Sequence, residues 1–301
     1  MKILVIGKNG QIGWELQRTL SPLGDVLAFG RSELNLADPD AIRSRVREIR
    51  PALIVNAAAY TAVDQAESEP DLAYSINAAA PGILAEEART LDTWLLHYST
   101  DYVFDGAKSG PYEETDGTNP LGVYGASKLA GERAIAGAGG RYLILRTSWI
   151  YGARGKNFLL TIMRLARERE ELRVVADQVG SPTWSRMVAE ATAQIAIQLL
   201  SAPRRSRQEA GIYHLTCAGQ TSWYDFAREI VKCMISSSGT AWSARCPGGP
   251  RLVPILTSEY PRPARRPVNS CISCEKLRAD FRITLPPWSM ALSLCFADLL
   301  E

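Results

Sequence analysis

Short apolar runs alternate with segments of helical periodicity along the first half of the chain. Five runs predict strands, and they read KILVIG, DVLAFG, ALIVNAAA, WLLHYST and RYLILRTSWIYG. The segments that begin at Gln11, Pro39, Pro70 and Val123 have apolar residues at helical spacing, and most are bounded by Pro or Gly. Uniformly apolar strands separated by helices predict an α/β fold with a doubly wound, Rossmann-like parallel sheet.

The later chain is less regular. LRVVAD and GIYHLT predict strands, 186–200 and 223–234 predict helices, and the Ser-, Gly- and Pro-rich stretch 236–251 predicts a loop. We expect a first domain over residues 1–150 and a smaller C-terminal lobe over 151–301, with some elements packing back on the first domain. Ligands of such sheets bind at the carboxyl ends of the strands.

Composition narrows the classes of partner. Lys and Arg outnumber Asp and Glu by 34 to 32, and no basic block of the kind that binds nucleic acid is present. No apolar stretch approaches the ~20 residues that cross a bilayer, and the N-terminal run leads into a glycine turn instead of a cleavage site. These features predict a cytoplasmic protein with a small-molecule partner and no contact with membranes.

The cysteines and histidines give little support for a metal site. All six cysteines lie in the C-terminal third, with one C-x-x-C at Cys271–Cys274, and the chain has two histidines, His97 and His214. A closed zinc site needs four ligands of this kind, so we expect reduced structural thiols, interior histidines and no metal.

A glycine turn joins the first predicted strand to the first helix. Gly7, Gly10 and Gly13 lie where a dinucleotide pyrophosphate approaches the backbone and the helix N-terminus. An acid at the end of the second strand commonly holds the ribose 2′-hydroxyl of NAD. Here Gly30 and Arg31 stand at that point, which favours NADPH because an arginine pairs with a 2′-phosphate; NADH stays open.

Tyr124 and Lys128 are separated by one helical turn and therefore share a face. Reduction of a ketone by a nicotinamide hydride requires a proton donor at the carbonyl oxygen, and a phenol can serve. A neighbouring cation lowers the pKa of a phenol, so Lys128 suits this role, and Thr100 at the end of the fourth strand supplies a hydroxyl for the substrate oxygen.

The glycine turn, NAAA, STDYVFDG, VYGASKLAGE and RTSWIYG resemble the extended short-chain dehydrogenase/reductase superfamily, and longer stretches such as DQVGSPTW resemble its dTDP-4-dehydrorhamnose reductase family. The resemblance implies NADPH-dependent reduction at C4 of a nucleotide sugar, dTDP-4-dehydro-L-rhamnose, for cell-surface polysaccharide. It implies Tyr124 as proton donor, assisted by Lys128 and Thr100. It also implies Asp101 and Trp149 as contacts of the sugar in the C-terminal substrate-binding lobe. Implied cofactor contacts are Gly10, Gln11, Ile12, Gly30, Asn35, Leu36, Ala59, Tyr60, Thr61 and Tyr98.

Two positions depart from the family pattern, and the sequence leaves rival functions open. Asn35 stands where Asp is usual, and Arg186 stands where some members place a carboxylate for a magnesium ion between two subunits, so we carry over no metal. A homodimer is an expectation from the family alone. Arg265 and Arg266 suit either a pyrophosphate or solvent. The rival functions are a nucleotide-sugar epimerase or dehydratase, which keeps its NAD through the cycle, and a non-catalytic NADP-binding regulatory subunit.

Overall fold

A computed structural model describes residues 1–201, 210–237 and 249–300. The first half contains β1 (Lys2–Ile6), α1 (Gln11–Thr19), β2 (Asp25–Phe29), α2 (Pro39–Ile49), β3 (Leu53–Asn56), α3 (Val63–Ala66), α4 (Pro70–Tyr74), α5 (Ala80–Thr90), β4 (Trp94–Thr100), α6 (Val123–Ala138) and β5 (Arg141–Thr147). The second half contains β6 (Ile150–Tyr151), α7 (Phe158–Glu168), β7 (Glu171–Val175), β8 (Val179–Gly180), β9 (Thr183–Trp184), α8 (Ser185–Ser201), β10 (Gly211–His214), β11 (Thr221–Ser222), α9 (Trp223–Ser237), β12 (Arg251–Ile255), α10 (Glu275–Phe281) and α11 (Trp288–Leu300).

The central sheet has six parallel strands in the order β10-β5-β4-β3-β1-β2. Successive residues of a strand face opposite sides, and both sides of β1 are covered. Ile3 and Val5 belong to one hydrophobic core, whereas Leu4 and Ile6 belong to the other. This double cover explains why the strands read as uninterrupted apolar runs, and it confirms the prediction of a doubly wound parallel sheet.

Strand order brings distant parts of the sequence to one edge. Strand β1 lies between β2 and β3, so the chain winds away from it in two directions and leaves a crevice at the carboxyl ends. The register pairs Ile6 with Asn56, Asn56 with His97, and Thr100 with Thr147. The glycine turn, the NAAA segment and the STD segment therefore meet at this edge.

Two predicted elements depart from regular geometry. The helix expected from Pro70 contains a π-helical turn over Ser75–Ala79, where Pro81 has no N–H to donate to the carbonyl four residues earlier. The strand expected over 141–152 breaks after β5 because Trp149 adopts a left-handed conformation, with φ of +48°. The predicted helix is unbroken from Pro70 to Thr90 and changes only its hydrogen-bond pattern in this turn, whereas the prediction of one continuous strand was wrong.

Parts of the second half pack against the first 150 residues. Strand β10 extends the central sheet beside β5, and helix α8 packs on α1. Three two-stranded pairs, β11 with β8, β12 with β7 and β6 with β9, lie outside the main sheet. The predicted loop falls mostly outside the described residues, as do Trp242 and Cys246. Its first two residues instead complete α9, and Arg251 begins β12.

The described cysteines are free thiols: Cys217, Cys233, Cys271, Cys274 and Cys295. Burial raises the pKa of Cys217 to about 12 and that of Cys271 to about 11, so both are protonated at neutral pH. No group of three or more His, Cys, Asp and Glu side chains suited to a metal ion occurs within residues 1–201, 210–237 and 249–300. Among the described helices, none has both the length and the apolarity of a membrane span.

Candidate active site

The turn between β1 and α1 is shaped by close backbone contacts. Gly7 has φ of +94° and donates its N–H to the Phe29 carbonyl at 2.8 Å. A side-chain carbon at Gly13 would lie 2.0 Å from the Gly7 carbonyl oxygen, so only glycine fits there. Gly10 precedes α1, and no side chain caps the helix. The first-turn N–H groups are therefore suited to a phosphate, and this cradle fits a dinucleotide.

The side chain of Gln11 ties the turn to the second half of the chain. Its amide nitrogen donates to the Ile150 carbonyl at 3.4 Å, and its amide oxygen accepts from Asn157 at 2.9 Å. Ile12 is half-buried against the core. Contacts of these two residues with a phosphate would thus use the backbone.

A carboxylate that the sequence analysis missed lies beside Gly30. Glu33 accepts from the Gly30 N–H at 2.9 Å and pairs with Lys8 at 2.6 Å. Arg31 is exposed and makes no ion pair with the part of the chain that the structure describes. Lys8, Arg31 and Glu33 therefore surround the end of β2, which leaves a net positive charge there.

Two further predicted contacts follow β2. The side-chain oxygen of Asn35 accepts from the Ala37 N–H at 3.2 Å, within an exposed turn. Leu36 is buried in the core on one face of the sheet. Asn35 thus shapes its own turn, and Leu36 supports that turn from below.

Asn77 holds the loop that contains Ala59, Tyr60 and Thr61. Its side-chain oxygen accepts from the Tyr60 N–H at 2.8 Å, and its amide donates to the Tyr60 carbonyl at 3.1 Å. The same amide also donates to Ser127 on α6 at 3.0 Å. Asn77 is fully buried in the π-helical turn, and it links the loop after β3 to the helix that carries Tyr124.

Contacts with two distant segments fix the first turn of α6 relative to the edge of the sheet. Glu67 accepts from the Val123 N–H at 2.9 Å and so caps the helix from a distant loop. A side-chain carbon at Gly125 would lie 2.2 Å from the Tyr102 carbonyl oxygen, which shows how closely α6 sits on the segment after β4. These contacts set the position of Tyr124 between them.

Tyr124 faces Thr100 and Asp101. The Tyr124 hydroxyl is in hydrogen-bond contact with Thr100, and Thr100 donates to an Asp101 carboxylate oxygen at 3.1 Å. Burial raises the pKa of Tyr124 to about 12, although its bond to Thr100 acts the other way. Burial also raises the pKa of Asp101 to about 6, against the bonds from Ser270 and Thr100. Asp101 Oδ2 is buried without a partner among the described residues.

Lys128 lies one turn further along α6 and is buried. Its ammonium nitrogen, Nζ, donates to the Tyr98 carbonyl at 2.6 Å and lies 3.2 Å from His97 Nε2. Burial lowers the pKa of Lys128 to about 8. The expected lowering of the Tyr124 pKa by Lys128 is therefore absent here, because burial dominates at the phenol and the lysine is directed at β4.

Tyr98 contributes its backbone to this cluster. Its hydroxyl lies 2.6 Å from the Thr192 hydroxyl on α8, so the ring is anchored in the core between the two halves of the chain. Only the Tyr98 carbonyl reaches the candidate site. A cofactor contact predicted for Tyr98 would thus use main-chain atoms.

Trp149 is already stacked within the protein. Its ring lies 3.4 Å from the ring of Trp223, nearly parallel at 7°, and a side-chain carbon at Gly180 would lie 2.4 Å from its indole. Trp149 is partly buried in this stack. Trp223, on α9, is a further aromatic of this region that the sequence analysis did not single out.

Comparison with known proteins decides the family. A sequence model for the RmlD substrate binding domain matches residues 1–301. The chain belongs to the RmlD family. It is 50% identical to dTDP-4-dehydrorhamnose reductase of Burkholderia thailandensis, and the match covers 100% of both chains. It is 44% identical to dTDP-4-dehydrorhamnose reductase of Escherichia coli K12, with 99% of this chain and 98% of the relative covered.

A solved RmlD-family structure carries the cofactor. The dTDP-4-dehydrorhamnose reductase of Bacillus anthracis, crystallised in complex with NADP, superposes with a TM-score of 0.87 at 36% identity and covers 99% of each chain. This match confirms the Rossmann-like fold class and agrees with the glycine cradle described above.

The two arginines that the sequence analysis paired behave differently in this RmlD-family chain. Arg266 is held by Asp64, with nitrogen to oxygen distances of 3.0 and 2.9 Å. This pair joins α3 to the C-terminal segment. Arg265 is exposed, and the structure assigns it no ion pair with a described residue.

Proposed function

We propose that the chain catalyses the NADPH-dependent reduction of dTDP-4-dehydro-L-rhamnose at C4 to dTDP-L-rhamnose, for cell-surface polysaccharide. The observation that carries the proposal is the convergence of Thr100, Tyr124 and Lys128 at the sheet edge, beside the glycine cradle, in a chain 50% identical over its full length to a dTDP-4-dehydrorhamnose reductase. Bound NADPH would supply a hydride to the ketone carbon.

The side chains of the protein donate the proton and orient the substrate. Tyr124 donates the proton to the carbonyl oxygen, and its raised pKa keeps the phenol protonated until the substrate oxygen gains charge. The Thr100 hydroxyl is in hydrogen-bond contact with both Tyr124 and Asp101, so it holds the phenol in place at the candidate site. The unpartnered oxygen of Asp101 is placed to accept from a sugar hydroxyl, and the Trp149 edge packs against the sugar.

We assign the cofactor to the crevice formed by β1, β2 and β3. Gly7, Gly10 and Gly13, with the backbone of Gln11 and Ile12, would hold the pyrophosphate. Gly30, Arg31, Asn35 and Leu36 would hold the adenosine part, and Ala59, Tyr60, Thr61 and Tyr98, together with Lys128, would hold the nicotinamide part. Residues 151–301 mainly form the substrate lobe, although β10 and α8 pack on the first domain.

The test follows reduced nicotinamide. Purified protein with NADPH and dTDP-4-dehydro-L-rhamnose should consume NADPH in equal amount to the sugar reduced, whereas an epimerase, a dehydratase or a binding subunit leaves it unconsumed. Tyr124→Phe should retain NADPH binding and lose at least roughly a hundredfold in kcat, since general acid catalysis contributes about 10²–10⁴-fold. Tyr74→Phe, at a tyrosine that is 41% exposed, is the matched control with unchanged kcat. Full activity of Tyr124→Phe would remove the phenol from its role.

A further inference from the structure

Three polar side chains form a buried line beneath the candidate site. Asn56 ends β3, His97 lies within β4, and Lys128 reaches them from α6. Asn56 Nδ2 lies 3.1 Å from His97 Nδ1, and Lys128 Nζ lies 3.2 Å from His97 Nε2. All three residues are at most 2% exposed, so the protein itself must satisfy their hydrogen bonds.

The position of the imidazole proton follows from the partners. Asn56 Oδ1 accepts from the Ala58 N–H at 3.2 Å, which turns the amide nitrogen of Asn56 toward the histidine. An amide nitrogen only donates, so His97 Nδ1 must carry a lone pair. Burial and the charge of Lys128 hold the pKa of His97 well below its ordinary value, so the ring is neutral and its single proton lies on Nε2.

That proton faces Lys128. An ammonium group has no lone pair and would meet Nε2–H donor to donor, whereas a free amine can accept from it. Nζ retains a proton for the Tyr98 carbonyl at 2.6 Å in either form. The Nε2–H group of His97 therefore favours the amine form of Lys128. The ionisable groups that act on Lys128 are His97 on β4 and Glu132 on α6, and Glu132 favours the ammonium.

We propose that His97, held by Asn56 in the Nε2–H tautomer, donates a hydrogen bond to Lys128 and keeps this lysine close to the balance between ammonium and amine. His97 is thus a positioning residue that acts through Lys128. The tautomer stands on the hydrogen bonds alone, whereas its effect on turnover rests on the proposed function. The pKa of Lys128 is lowered to about 8, and a hydrogen bond donated by His97 would likewise favour the amine.

The tautomer is tested first, by ¹⁵N NMR of histidine-labelled protein without cofactor. The chain has two histidines, and the second supplies an internal reference. His214 Nδ1 lies 3.1 Å from the Ser273 carbonyl, which only accepts, so His214 carries its proton on Nδ1. His214→Asn assigns the signals. At pH 7–8 we expect opposite tautomers in the two rings, and a proton on Nδ1 of His97 overturns the proposal.

The effect on turnover is tested by the pH dependence of kcat/KM. His97→Asn removes the opposing donor, so the alkaline limb should move upward by about one pH unit, the equivalent of one hydrogen bond of roughly 1–1.5 kcal/mol. His214→Asn, equally buried but remote from Lys128, should leave that limb in place. A uniform loss of rate with an unmoved limb in folded His97→Asn would reduce His97 to a structural role and overturn the proposal.

A second variant covers failure of His97→Asn to fold. Asn56→Asp keeps an acceptor for the Ala58 N–H and presents a second acceptor to Nδ1, so the tautomer should reverse and the alkaline limb should again rise. An unreversed tautomer in this variant counts against the proposal. If wild-type protein leaves NADPH unconsumed, the proposed function fails while the NMR result stands on its own.

Discussion

Replacing Glu132 with alanine would leave a charged arginine unpaired in the protein interior. Glu132 on α6 binds Arg146 on β5 side-on, at 2.9 Å from Nε and 2.6 Å from Nη2. Each side chain is 2% exposed, and Arg146 Nη1 has no other partner among the described residues. No solvent or neighbouring carboxylate is therefore available to compensate the arginine.

The expected loss is large for one substitution. Removing one partner of a buried ion pair costs about 3–5 kcal/mol, because the remaining charge has lost both water and its counter-ion. At about 1.6 °C per kcal/mol for a chain of 301 residues, the midpoint of thermal unfolding should fall by roughly 5–8 °C. Circular dichroism during heating measures this change.

An exposed pair supplies the control. Arg164 and Glu168, one turn apart on α7, are 60% and 51% exposed, and such pairs contribute about 0–1 kcal/mol. Glu168→Ala should thus shift the midpoint by only a few degrees at most. If Glu132→Ala and Glu168→Ala melt at the same temperature, water reaches Arg146 and the reasoning from burial is wrong.

Three further outcomes follow from single contacts. Gly125→Ala would place a carbon 2.2 Å from the Tyr102 carbonyl oxygen, so α6 must shift and kcat should fall at least about tenfold with the fold retained, measured by NADPH consumption and circular dichroism. Arg31→Ala should raise the Kd of NADPH about tenfold and leave that of NADH unchanged in fluorescence titrations; equal losses would contradict a 2′-phosphate contact. Burial lowers the pKa of His214 to about 3, so unfolding takes up a proton below pH 6.5. Stability is then lost as pH falls, by about 2 kcal/mol at pH 5, and denaturant titrations of His214→Asn should lack this component.

The order of strands and helices could be read from the sequence because the buried strands are uniformly apolar and Pro or Gly bounds most helices. The hydrophobic pattern does not predict a residue whose backbone conformation differs from that of its neighbours. Trp149 has φ of +48° in a sequence that otherwise predicts a strand. Its stacking on Trp223, 74 residues later, fixes that turn, and local periodicity contains no information on such a partner.

The residues that support the site were hidden for a similar reason. Asn77 reaches Ser127, 50 residues away, and Asn56 reaches His97 across 41 residues. Each of these residues is unremarkable within its own segment, because a buried polar side chain is marked only by the partner that satisfies it. The glycine turn was predictable because its requirement is local, a sharp bend and a bare helix N-terminus.

The spacing of Tyr124 and Lys128 does not predict which groups their side chains contact. Residues four apart share a helix face, yet the face alone does not decide which group a long side chain meets. The Tyr98 carbonyl and His97 on β4 take the Lys128 nitrogen, and burial raises the pKa of Tyr124 while it lowers that of Lys128. With a pKa of about 8, Lys128 is mainly charged only below that pH, so it can favour a phenolate only in that range. Under the role proposed for His97, the pH range of catalysis depends on His97 and Asn56 as well as on Tyr124 and Lys128.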